Sequence, residues 1–182
     1  MTTAGVILAA GAGRRFGGGI KQLARHDGEP LVRRACRTAL DAGLAPVLVV
    51  LGAHADVVGD ALRDLDVIPI HNARWEDGMG TSLACAIRAL DETVVDVAVL
   101  LADQPLITPA HVRALTAARL AAAADLAATD TGATLGVPAV FARALFPTLA
   151  ALTGDRGARD LIARTDRRVT VPFAPAAVDI DT

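Results

Sequence analysis

The chain has 182 residues, 53% of them hydrophobic and 21% charged, with a formal net charge of −2. That length most simply makes one domain, 1–182, with room for a sizeable core, and the apolar runs are short enough to be buried strands and not membrane spans. Mixed charge without long runs of one sign, and only 3% aromatic residues, leave no footprint for nucleic acid.

Residues 4–10 form a short apolar strand that breaks into glycines at Gly11, Gly13 and Gly17 to Gly19, with Arg14, Arg15 and Lys21 among them. Glycines admit positive φ and let several backbone N–H groups approach an anion, and three cations add charge. The loop is therefore predicted to hold a nucleoside triphosphate. A dinucleotide fingerprint is disfavoured because Phe16 stands three residues after Gly13 and no acid follows the second strand. A Walker loop fails because Gly18 is followed by Gly19 and Ile20, and Lys21 by Gln22 in place of a hydroxyl. No basic segment precedes the apolar start, which predicts a cytoplasmic protein with no membrane partner.

Further along, Pro30 opens a helix over 30–42 that Gly43 closes. Strands at 45–51, 66–70 and 96–101 alternate with helices at 54–64, 80–91 and 109–123, the last capped by Thr108 before Pro109. A strand at 125–129, a turn at 130–132, the segment 136–141, helices near 141–151 and 155–164 and an extended piece to Asp181 complete the chain. Alternating strands and helices specify a doubly wound α/β fold with a mostly parallel sheet.

Ligands in such sheets bind beyond the carboxyl ends of the strands. Asp103 follows the apolar run 97–102 and would face the glycine loop; an acid beside phosphates implies Mg2+, although a turn or cap aspartate has the same signature. Asp179 and Asp181 share one face of the last segment and add candidate ligands to the same ion. Between 72 and 83, Gly78, Gly80, Thr81 and Ser82 either cap the next helix or turn hydroxyls to a ligand, and Trp75 is either core or pocket wall. Cys36 and Cys85 read as buried reduced thiols, and the four histidines show no ligand spacing.

Leu8-Ala-Ala-Gly11 with Arg15 and Lys21, residues 72–83, Leu100-Leu-Ala-Asp-Gln-Pro105, Gly154-Asp-Arg-Gly-Ala-Arg159 and Asp179-Ile-Asp-Thr182 resemble, in order, the molybdenum cofactor cytidylyltransferases, within the wider MobA-like NTP transferase superfamily. The resemblance implies a Rossmann-like α/β/α sandwich that transfers CMP from CTP to molybdopterin phosphate. It implies catalytic roles for Lys21, Arg15 and Asp103 and nucleotide contacts from Leu8, Ala9, Ala10, Gly11, Gly13, Arg14, Gly78, Gly80 and Ser82. A metal, Mg2+, would fall to Asp103 with Asp181 and Asp179, and the pterin side to Gly136, Pro138, Asp155 and Arg156. Partners would be CTP, a phosphorylated pterin, and a molybdoenzyme or cofactor chaperone. The chain departs from that family in one extra loop residue before Lys21, in Val137 where relatives tend to have histidine, and in ending at Thr182. Transfer to another phosphorylated acceptor, a sugar or alcohol phosphate, and nucleotide binding without turnover are the alternatives.

Overall fold

The fold is described from a computed structural model over residues 2–14, 16–17, 19–155 and 157–180. Its strands are β1 (Thr2–Leu8), β2 (Arg25–His26), β3 (Glu29–Pro30), β4 (Val47–Leu51), β5 (Ile68–His71), β6 (Val94–Leu101), β7 (Leu126–Asp130), β8 (Leu135–Ala142) and β9 (Arg168–Pro172). The helices are α1 (Leu31–Asp41), α2 (Ala55–Asp60), α3 (Met79–Arg88), α4 (Pro109–Ala121), α5 (Phe146–Ala150) and α6 (Arg159–Arg164).

β4 is apolar at every position because both of its faces are covered. Val47, Val49 and Leu51 point into one core, and Leu48 and Val50 into another. The first core is closed by α1, α2 and α4 through Val32, Val58 and Val112; the second by α3, α5 and α6 through Leu83, Leu149 and Ile162. Seven strands run in the order β5-β4-β1-β6-β8-β7-β9, flanked by helices on both sides, an α/β/α sandwich. The sheet is parallel except at β8, which is antiparallel to β6 and β7. The reason is local: the turn after β7 is closed by Asp130, whose Oδ1 accepts from Gly132 N at 2.8 Å, and Gly132 takes φ +88°, so the chain returns directly as a hairpin.

Several boundaries differ from the expected ones. Pro30 precedes the first helical residue with an extended ψ of 138° and pairs with Arg25 in a two-residue hairpin, so α1 begins at Leu31. The helix expected over 54–64 stops at Asp60, after Gly59. That expected from 155 begins at Arg159, because Gly154 and Gly157 hold positive φ before it. Thr108 caps α4 as expected, its hydroxyl oxygen accepting from His111 N at 3.2 Å. Cys36 is buried, and burial pushes its thiol up to about 12, but Cys85 is only partly buried, on the outward side of α3. Neither cysteine forms a disulfide. Among the described residues no helix is long and apolar enough to cross a membrane.

Candidate nucleotide site

At the carboxyl end of β1 the chain leaves the sheet through Ala9 and Ala10, whose backbones still bond to the neighbouring strand: Ala9 N donates to Val50 O at 3.0 Å, and Ala53 N to Ala10 O at 3.1 Å. The glycine loop that follows is braced from beneath by Gln22. Its buried side chain donates through Nε2 to Ala9 O at 2.9 Å and to Gly11 O at 2.5 Å, leaving Oε1 without a hydrogen-bond partner. Left-handed backbone occurs at Gly13 (φ +59°) and Gly19 (φ +104°) but not at Gly11 or Gly17, so fewer of these glycines are conformationally required than expected. A Cβ on Gly13 would stand 2.9 Å from Lys21 Cβ, so the bare backbone of Gly13 lies against the lysine stem.

Lys21 Nζ donates to Asp103 Oδ2 at 2.7 Å, with the two side chains 14% and 27% exposed. The extra loop residue therefore leaves Lys21 directed at the acid after β6. Asp103 Oδ1 is buried and has no hydrogen-bond partner. Ile180 N donates to Asp103 O at 3.1 Å, and Gln104 Nε2 to Ala176 O at 2.8 Å and Val137 O at 3.3 Å. These bonds lay the final segment across the end of β6 and bring Asp179 to the cleft. No group of three or more metal-ligating side chains exists among the described residues. Two carboxylates of hard oxygens, one with an unsatisfied atom, still fit a divalent ion such as Mg2+, which takes its other ligands from phosphates and water.

The opposite wall comes from 72–83. Asn72 is buried; its Nδ2 donates to Thr81 Oγ1 and Ser82 Oγ, both at 3.0 Å, and its Oδ1 accepts from Arg74 N at 3.0 Å. Thr81 is spent on this local network, its hydroxyl 2.9 Å from the carbonyls of Gly78 and Arg74, while Ser82 also reaches the cleft. Trp75 is both core and wall: its Cβ would meet a Cβ on Gly52 at 2.6 Å, and it lines the cleft. Gly78 and Gly80 allow the segment 153–155 to pack backbone to backbone, with Gly80 N donating to Gly154 O at 2.8 Å. The two motifs expected on the nucleotide and pterin sides thus touch one another.

The cleft has a volume of about 720 Å3. Of the expected site residues, Leu8, Ala9, Ala10, Gly11, Gly13, Arg14, Lys21, Gly78, Ser82, Asp103, Asp155 and Asp179 line it. Gly80 lies behind the wall. Gly136 and Pro138 do not line it: Gly136 pairs with Thr129 in the hairpin, and Pro138 O accepts from the Thr129 hydroxyl at 2.6 Å. Arg15, Arg156 and Asp181 lie outside the described residues. Sequence reasoning passed over Gln22, Met79, Glu76 and Arg159, all lining residues. Glu76 and Met79 lay within the 72–83 motif and Arg159 ended the 154–159 motif, whereas Gln22 carried no signal.

Residues 5–169 match the MobA-like NTP transferase domain. The chain is 36% identical over 162 residues to the nicotine blue oxidoreductase of Paenarthrobacter nicotinovorans, covering 85% of this chain and 78% of that protein. It is 34% identical over 170 residues to the purine catabolism protein PucB of Bacillus subtilis, covering 87% and 79%. The crystal structure of Rv0371c from Mycobacterium tuberculosis superimposes with a TM-score of 0.85 at 26% identity, over 100% of this chain and 94% of that one. A manganese complex of the same protein gives 0.77 at 26% identity, over 95% and 90%.

Proposed function

The chain belongs to the MobA-like NTP transferase family, and on that premise we propose that it is a cytidylyltransferase moving CMP from CTP onto the phosphate of molybdopterin, with release of pyrophosphate. The observation that carries this reading is the Lys21–Asp103 pair at 2.7 Å beside the glycine loop. A triphosphate needs both a cation that can follow its charge and an acid that can hold a metal, and here the two are side by side.

In the reaction an oxygen of the acceptor phosphate forms a bond to the α-phosphorus of CTP, the bond from that phosphorus to the bridging oxygen breaks, and pyrophosphate leaves with the electron pair. The nucleophile is already ionised at neutral pH, so no general base is required. The backbone from Ala10 to Gly13 presents N–H groups to the phosphates, and Gln22 holds that backbone in place. Lys21 turns from Asp103 toward the charge that grows on the α- and β-phosphates, with Arg14 on the same cleft; Arg15 would add charge from the loop. Asp103, with Asp179 and Asp181, would hold Mg2+. Bound there, the ion would neutralise triphosphate oxygens. The manganese complex of a relative at 26% identity supports a divalent metal in this family. Ser82 and Gly78 would serve the base and ribose. A cytoplasmic molybdoenzyme or cofactor chaperone would receive the product.

A second reading, transfer to another phosphorylated acceptor such as a sugar or alcohol phosphate, is favoured by one observation: Gly136 and Pro138, expected on the pterin side, do not line the cleft. Names of relatives leave the acceptor open as well, one being an oxidoreductase and one a purine catabolism protein. The test is thermal stability with CTP, GTP and ATP in Mg2+, together with pyrophosphate release with and without molybdopterin. Ligand at a hundred times Kd adds about 2.7 kcal/mol, and CTP should give the largest shift. Equal shifts with all three nucleotides overturn the cytidylyl assignment; release driven by a sugar phosphate but not by molybdopterin selects the second reading.

A further inference from the structure

Among the described residues three cations line the cleft: Arg14, Lys21 and Arg159. Lys21 lies 2.7 Å from Asp103, and Arg14 Nη2 lies 3.7 Å from Glu76 Oε1. Arg159 is different. It is exposed in the cleft, and its side chain has neither an ion pair nor a hydrogen bond with any described residue.

Its position is nonetheless built. The preceding Ala158 and the following Ile162 are buried in the second core, 6% and 1% exposed. Gly157, at φ +51°, lies against Met79, whose Sδ would be 3.1 Å from a Cβ there. Gly154 is bonded to Gly80. The neighbouring acid does not neutralise it: Asp155 Oδ1 rests on Gly78, 2.5 Å from where a Cβ would stand. A guanidinium held on a docked turn, facing an open cleft with its donors free, suits a ligand with paired anionic oxygens, which its planar fork can bind at two points.

We propose that Arg159 binds the phosphate of the acceptor, so that the substrate which receives the nucleotidyl group is a phosphate monoester presented to the α-phosphorus by this arginine. This rests on the nucleotidyl-transfer reading above. Charge balances: a dianionic monoester and a tetraanionic triphosphate give a dianionic diphosphate ester and tetraanionic pyrophosphate. Arg159 neutralises the incoming dianion, whose repulsion by the triphosphate would otherwise keep it out of the cleft.

Trp75 is the only tryptophan, there is no tyrosine, and Trp75 lines the same cleft, so its fluorescence reports occupancy. Phenyl phosphate is titrated into the full chain with and without α,β-methylene-CTP and Mg2+, beside benzoate and phenol. The expected result is saturable binding of phenyl phosphate to the loaded wild type, at least tenfold weaker in Arg159→Ala and intermediate in Arg159→Lys, with affinity for the CTP analogue unchanged within twofold. Arg159→Gln serves if the alanine variant does not fold. Equal binding by wild type and Arg159→Ala, or no binding by wild type, overturns the proposal. Benzoate as strong as phenyl phosphate overturns the phosphate class, and a parallel loss of the CTP analogue reassigns Arg159 to the nucleotide. Failure of the CTP analogue to bind wild type refutes the nucleotidyltransferase reading alone, and the titration without it still decides the role of Arg159.

Discussion

Replacing Gly13 by alanine should damage the nucleotide loop, whereas the same change at Gly11 should leave its folding untouched. Gly13 holds φ +59°, where an L-residue costs roughly 1–2 kcal/mol, and its new Cβ would sit 2.9 Å from Lys21 Cβ, a carbon close to the backbone that cannot swing aside. Gly11 is outside the left-handed region, and a Cβ there meets nothing within 4 Å. Alanine at such a place stabilises by about 0.4–1 kcal/mol through the unfolded chain. That unfolded-chain gain is common to both variants and cancels between them, so they should differ by roughly 1–2 kcal/mol, and at about 2–4 °C per kcal/mol for a chain of this size their melting points by roughly 2–8 °C. If the loop opens locally in Gly13→Ala, part of the penalty moves from the melting point to CTP affinity, because the loop must be re-formed on binding. Circular-dichroism melts and CTP titrations of both variants measure the two parts. Gly13→Ala with the melting point and CTP affinity of wild type would refute the assignment of strain to this residue.

Lys21→Ala should lower kcat roughly a hundredfold to a thousandfold, about 2.7–4 kcal/mol, if the ammonium acts on charge that develops in the transition state. A raised KM for CTP with kcat unchanged would instead mean ground-state binding, seen in steady-state rates beside Arg14→Ala and Arg15→Ala. His111 is buried against Phe173 with ring centroids 4.2 Å apart, and Nε2 lies 2.8 Å from Thr129 Oγ1. The Thr129 hydroxyl donates to Pro138 O, so Nε2 carries the proton in the neutral ring. Burial depresses its pKa below the ordinary 6.5. The unfolded chain thus takes up a proton that the folded chain refuses, and stability present above pH 6.5 is lost as pH falls toward the depressed folded value, at no more than about 1.4 kcal/mol per pH unit. Denaturant midpoints between pH 7.5 and 5.5 should fall in wild type and less in His111→Gln; identical slopes would assign the effect to other groups.

Periodicity alone was enough for the layered architecture. Runs such as Val47–Leu51 and Val97–Ala102 are apolar at consecutive positions, which only a strand covered on both faces tolerates, and the intervening segments repeat with helical spacing. Pro109 after Thr108 marked a helix start because its chemistry is local. The glycine loop and Asp103 were legible for the same reason, each directly following a strand whose end must face the ligand side of the sheet. The role of Gln22 was not legible. A glutamine after a lysine has no distinctive spacing, and it becomes a brace only because the loop folds back over it and presents two carbonyls. Residues 136–138 looked like ligand-side chemistry as a string, but the hairpin register spends Gly136 and Pro138 on Thr129.

The pairing of Lys21 with Asp103 spans 82 positions, and the contact of Gly80 with Gly154 joins two loops that no local preference connects. Local propensity and burial pattern act over a few residues and dictate which elements form and which faces are covered. Which side chains meet across the cleft, and which of the described cations there is left without a partner, follow from strand order and loop packing, where contacts are between residues remote in sequence.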